Sequence, residues 1–148
     1  MVKRPVTWYL VADGSRARVV TCLSTESNYE VVASYESAEA HLPDRELTSD
    51  RPGHGQESAT TGRHALEPRH DPHRARKEAF IRQVATHLKD ANTRAAFDAL
   101  VLYADPRSLA VLRDSLDDAT RAKVKRSVAK DLTKIPLAEL GRHFAAES

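Results

Sequence analysis

The chain holds a single cysteine, Cys22, in 148 residues. That excludes a disulfide framework, and the apolar surroundings of Cys22 read as those of a buried, inert thiol. Long apolar runs are missing too. The opening MVKRPVTWYLVADGS is interrupted by Thr7 and reaches Asp13 without a small-residue cleavage site. It reads as a strand rather than a secretory signal or a membrane span, so a cytoplasmic protein with no membrane partner is expected. No internal repeat is present, and no G-x-S-x-G elbow supports Ser-His-Asp catalysis. The histidines of RHALEPRHDPH match none of the tight zinc spacings, and no cofactor is expected. Neither sign of charge is in excess: 23 Lys and Arg face 21 Asp and Glu, a net charge of +2. The sum therefore recommends no partner, and only the distribution of charge can.

What is present is enough apolar patterning for one domain over 1–148, long enough to bury a core without staples. Val6 to Ala12 is apolar on both alternating faces, as in the interior of a sheet. Asp13-Gly14-Ser15 supplies turn chemistry, and the chain returns from Arg16 to Leu23 with Ala17, Val19 and Leu23 on one side. A third strand, Glu30 to Tyr35, turns Glu30 and Ser34 to water, as does Glu36 beyond it. Asp71-Pro72 reads as an N-cap followed by proline at the first helical position. Phe80, Val84, Leu88 and Ala91 then recur at helical spacing, with His87 at the edge of the stripe. ALVLYA, residues 99–104, reads as a strand covered on both faces. Asp105-Pro106 repeats the helix start, with Leu109, Leu112 and Leu116 inward. Val124 to Lys130 reads as a fifth strand, although Val124, Val128 and Leu132 also suit a helix. Pro136 opens a last helix with Leu137, Leu140 and Phe144 on one face. The order βββαβαβα predicts an α/β fold, a mixed five-stranded sheet flanked by helices.

Between residues 37 and 70 no period is sustained, and Pro43, Pro52, Pro68, Gly53, Gly55 and Gly62 interrupt any regular element. A long mobile loop is expected there, too poor in apolar residues to offset the entropy of ordering it and open to folding on a protein partner. At its centre lies PGHGQESA. Gly53 and Gly55 allow close backbone approach, and the Gln56 amide both donates and accepts, which suits holding a water beside an ester. The loop and the helix after it are rich in cations. Arg51, Arg63, Arg69, Arg74, Arg76 and Lys77, with His54, are candidate contacts to a phosphate backbone. A second basic group, Arg121, Lys123, Lys125, Arg126, Lys130 and Lys134, could extend the same surface. Asp13 and Asp105 each end a strand, and with Asp131 they form an alternative site, the carboxylates of a metal-dependent nuclease. The same positions suit a turn and an N-cap.

TWYLVADGSRARVV, ELTSDRPG, GRHALEPRHDPH, FDALVLYADPRSLAVLRDSL and VAKDLTKIPLAEL resemble, in this order, the bacterial host attachment protein family. That family is similar to the middle domain of class I archaeal and eukaryotic peptide release factors. The resemblance implies an RNase H-like sheet with a GGQ-type loop after its third strand. It implies partners in ribosomal RNA and a tRNA end, and, if the protein is an enzyme, hydrolysis of the peptidyl-tRNA ester during translation. Gly55 and Gln56 match the last two positions of GGQ, whereas His54 stands where those factors have glycine. Glu57 adds a negative charge. The chain has no room for codon-reading domains.

Overall fold

Five strands form one sheet in the order β3-β2-β1-β4-β5. The computed structural model describes residues 5–23, 28–38 and 72–146; of the loop expected at 37–70, only Ser37 and Ala38 lie within that set. β1 (Thr7–Ala12), β2 (Arg16–Cys22) and β3 (Tyr29–Glu36) are an antiparallel meander. β4 (Ala99–Ala104) lies parallel to β1, and β5 (Val124–Val128) parallel to β4. The helices are α1 (Pro72–Thr93), α2 (Pro106–Ser115), the single turn α3 (Asp118–Arg121) and α4 (Leu137–Ala146). The mixed sheet flanked by helices is thus the expected architecture. The fifth strand is real but stops at Val128, so Leu132 belongs to the connection after it and fills the core from there.

Strand alternation sorts the core into two layers. Leu10, Ala12, Ala17, Val19, Leu100 and Leu102 point to one face, where the α1 stripe of Phe80, Ile81, Val84 and Leu88 and the α2 residues Leu109 and Leu112 cover them. Val11, Val20, Val101 and Tyr103 point to the other face, which is closed by Leu132, Leu140 and Phe144. On that face Phe144 stacks on Tyr9 with ring centroids 4.2 Å apart and an interplanar angle of 10°, and it meets Tyr29 and Tyr103 at 5.5 and 5.2 Å. Gly141, one turn earlier on α4, is the point of closest approach: a Cβ there would lie 2.6 Å from the Tyr29 ring.

Two helix ends show how the local sequence acts. Asp105 caps α2, its Oδ2 accepting from the Ser108 N–H at 3.1 Å, with proline following at the first helical position. Such a cap contributes about 1 kcal/mol. α1 ends in a Schellman arrangement: the Ala96 N–H reaches Ala91 O at 2.9 Å and the Ala95 N–H reaches Asn92 O at 2.9 Å. Ala95 therefore takes φ 57, a left-handed conformation that usually falls to glycine.

The edge strand β3 departs from simple alternation. Its register with β2 shifts between Val19 and Val20, whose partners are Ala33 and Val31, so Val32 bulges without a partner. Val31 and Val32 are both exposed. Leu23, expected inward with Ala17 and Val19, is 52% exposed because the strand ends at Cys22 and carries it past the helices. Cys22 itself, expected to be a buried thiol, is half-buried at the end of β2.

Burial raises the phenol pKa values of Tyr9, Tyr29 and Tyr35 above the ordinary value, with the neighbouring Cys22 adding to the first two. The folded state therefore keeps protons that the unfolded chain releases near pH 10, so stability falls as pH rises through that value and beyond. Urea midpoints measured between pH 8 and pH 11 should decline, and the decline should be shallower in Tyr9→Phe.

Candidate functional site

The turn after β1 is built by one side chain. Asp13 Oδ1 accepts from the Ser15 N–H at 2.7 Å and the Arg16 N–H at 2.8 Å, while the Asp13 N–H donates to Arg16 O at 2.9 Å. Gly14 within this turn lies against α1, where an added Cβ would come within 2.5 Å of Lys77 Cγ. Glycine is required here by close packing against the helix.

Because β1 and β4 are parallel neighbours, their carboxyl ends open at the same edge of the sheet, the place where open α/β sheets offer a crevice. A cleft of about 500 Å³ lies there. Asp13 to Ser15, Lys77 and Glu78 of α1, Asp105, the first turn of α2 with Arg107 and Ser108, and Asp131 line it. The chain on either side of residues 39–71 borders the same edge. The Ser37 N–H donates to Ser15 O at 2.8 Å, and α1, which begins at Pro72, contributes Lys77 and Glu78 to the wall.

Asp13, Asp105 and Asp131 thus share one cleft, but each carboxylate has structural work. Asp13 holds the β1–β2 turn and Asp105 caps α2. Asp131 Oδ1 accepts from the Thr133 N–H at 2.9 Å and from its hydroxyl at 2.5 Å. The Thr133 hydroxyl also lies 3.2 Å from Asp13 Oδ2, which ties the loop after β5 to the turn after β1. Among the described residues no group of three or more His, Cys, Asp or Glu side chains could hold a metal ion. The nuclease alternative therefore gains no ligand set from these aspartates.

The loop containing Asp131 is held from beneath. Arg18 pairs with Val11 in the β1–β2 register and so lies on the α4 face of the sheet. Its Nη2 donates to Leu132 O, Thr133 O and Ile135 O at 3.3, 3.2 and 2.7 Å. Burial lowers its pKa from the ordinary arginine value, a desolvation cost that the carbonyl bonds offset.

Of the cations expected to meet a phosphate backbone, Arg74, Arg76 and Lys77 lie in the first two turns of α1, and of these Lys77 lines the cleft. Arg51, His54, Gly55, Gln56, Arg63 and Arg69 fall outside the described residues. Glu78 and Arg107 join the cleft without having been singled out from the sequence. Glu78 carried a signal in its spacing: it pairs with Arg74 at 3.2 Å and Arg82 at 3.4 Å, one turn before and one after. Two members of the second basic group, Arg126 and Lys123, are engaged away from this surface. Arg126 donates through Nη2 to the Tyr103 hydroxyl at 3.4 Å on the α4 face, whereas α1 packs on the opposite face. Lys123 folds back onto Phe97, its Nζ 5.7 Å from the ring centroid and 3.4 Å from Phe97 O.

Fold and site together define a single α/β domain with a polar cleft at the carboxyl ends of two parallel strands. The chain belongs to the family described as "Protein required for attachment to host cells", whose model matches residues 8–144. No curated protein matches it. Among the described residues no helix is long and apolar enough to cross a membrane.

Proposed function

We propose that this member of the host attachment family is a cytoplasmic RNA-binding module that meets the ribosome or a tRNA end through the carboxyl edge of its sheet. One observation carries the reading. The chain leaves for and returns from residues 39–71 at the rim of the cleft where Lys77 and Arg107 are exposed. That segment contains Gly53 to Gln56, and Arg51, Arg63 and Arg69 flank the tetrapeptide. Cations on both sides of a glycine-framed glutamine suit a strand of phosphates running past a probe. Asp13, Glu78, Asp105 and Asp131 keep the cleft floor acidic, so the phosphate contacts fall to the rim cations and the flanking arginines. The expected similarity of the host attachment family to release-factor middle domains points to the same reading.

Hydrolysis of a peptidyl-tRNA ester is the further step within it. Gln56 would orient the attacking water, and the ribosome would supply most of the transition-state stabilisation. The isolated protein should then show little activity. Co-sedimentation with ribosomes tests binding and chemistry separately. Deleting Arg51 to Arg63 should weaken binding at least tenfold, while Gln56→Ala should leave binding intact and remove any ester hydrolysis. Equal binding by the wild type and the deletion would overturn the assignment of the probe.

A further inference from the structure

A second concave surface lies at the far edge of the sheet, beside the free side of β5. It has a volume of about 370 Å³ and is lined by Arg113, Arg121, Val124, Lys125, Arg126 and Ser127. Four of these six residues are cations and none is a carboxylate. They converge from three elements: Arg113 from α2, Arg121 from α3, and Lys125 and Arg126 from β5.

Arg121 is held in place. Its Nε and Nη2 donate to Arg113 O and Leu116 O at the end of α2, at 3.2 and 2.5 Å, and its Nη1 meets Asp118 at 3.1 Å. The other three have no carboxylate partner among the described residues. Arg126 is the most telling. Its Nε is buried and unpartnered, and its Nη2 makes only the 3.4 Å contact with the Tyr103 hydroxyl. Lysines on an edge strand commonly serve only to deter edge-to-edge pairing, and for that purpose they project into solvent. A concave surface to which a helix contributes its own arginine is a different arrangement. Like charges gathered without counter-charge repel one another, and an anion seated between them relieves that repulsion.

We infer that this groove is a phosphate-binding site, and that its occupant is the backbone of a nucleic-acid strand. Arg113 offers a planar pair of donors that matches phosphate oxygens, and Lys125 and Arg126 add positive charge beside it. The nucleic-acid part rests on the RNA-binding reading above. The phosphate part stands on the groove alone.

The test uses the full chain, ¹⁵N-labelled and titrated with tripolyphosphate. Amide resonances of Arg113, Arg121 and Val124 to Ser127 should move and saturate, and the movement should vanish in R113E/K125E while the rest of the spectrum stays in place. Shifts spread evenly over all surface cations, or confined to Lys77 and Arg107, would overturn the site and leave the edge-guarding role. A parallel titration with a single-stranded RNA oligonucleotide separates the two readings. The double variant should lower the salt slope of RNA binding by about 1.4, two contacts at about 0.7 each. RNA binding with an unchanged slope overturns the nucleic-acid occupant of the groove but spares the proposed function. Tripolyphosphate binding without RNA binding does the reverse. An acidic peptide that displaces tripolyphosphate where RNA does not would overturn the nucleic-acid occupant.

Discussion

Phe144→Ala is expected to lower the unfolding free energy by about 3–5 kcal/mol, the range for deleting a buried aromatic ring. Phe144 is 2% exposed and is the hub of its layer: its ring lies within 5.5 Å of those of Tyr9, Tyr29 and Tyr103. Collapse cannot readily fill the space. Tyr9 and Tyr103 are fixed by the β1–β4 ladder, and Tyr29 is held against Gly141. Phe144→Leu keeps most of the volume and loses only the ring contacts, so it should cost appreciably less. Urea denaturation of the three proteins gives the comparison. A loss below about 1 kcal/mol in Phe144→Ala would mean that α4 does not close this face.

Arg18→Met is expected to cost about 2–4 kcal/mol. It keeps the aliphatic stem on the sheet but removes the donor to the Thr133 and Ile135 carbonyls, while Leu132 O retains the Ile135 N–H at 3.1 Å. Each bond to a charged donor contributes on the order of 1.5–3 kcal/mol, and the bonds share one nitrogen, so they do not add in full. Because the loop carries both Asp131 and Thr133, the substitution should also loosen the cleft wall about 115 residues away in sequence. Amide exchange of residues 130–135 should accelerate in Arg18→Met, more than that of α1. Unchanged exchange there would show that Arg18 does not hold the loop.

The contrast between Phe144 and Arg18 shows which parts of the fold were legible in advance. Phe144, Leu140 and Leu137 announce themselves by spacing after Pro136, as Phe80, Val84 and Leu88 do on α1, because burial on a helix leaves a period in the sequence. The N-cap Asp105 and the turn residue Asp13 were legible because their chemistry is local. Arg18 was not, since its partners lie 114 to 117 residues further along the chain and nothing near it signals them. Val31, on the inward side of the expected alternation, is exposed because the bulge opposite Val19 and Val20 lies on an edge strand that no helix fully covers. The cleft was half legible. Asp13, Lys77 and Asp105 were singled out by type and position, whereas Arg107 joins them only through the packing of α2 on β4. Arg113 likewise enters the β5 groove from an ordinary exposed helix position.

The central claim, that this protein is built to meet RNA, is tested most directly by sedimenting the wild-type chain with ribosomes over a series of salt concentrations. With six cations, Arg51, Arg63, Arg69, Arg74, Arg76 and Lys77, each on a phosphate of single-stranded RNA, the affinity should fall roughly 300-fold between about 50 and about 200 mM salt. Co-sedimentation that ignores salt, or its absence at the lowest salt, would contradict the claim.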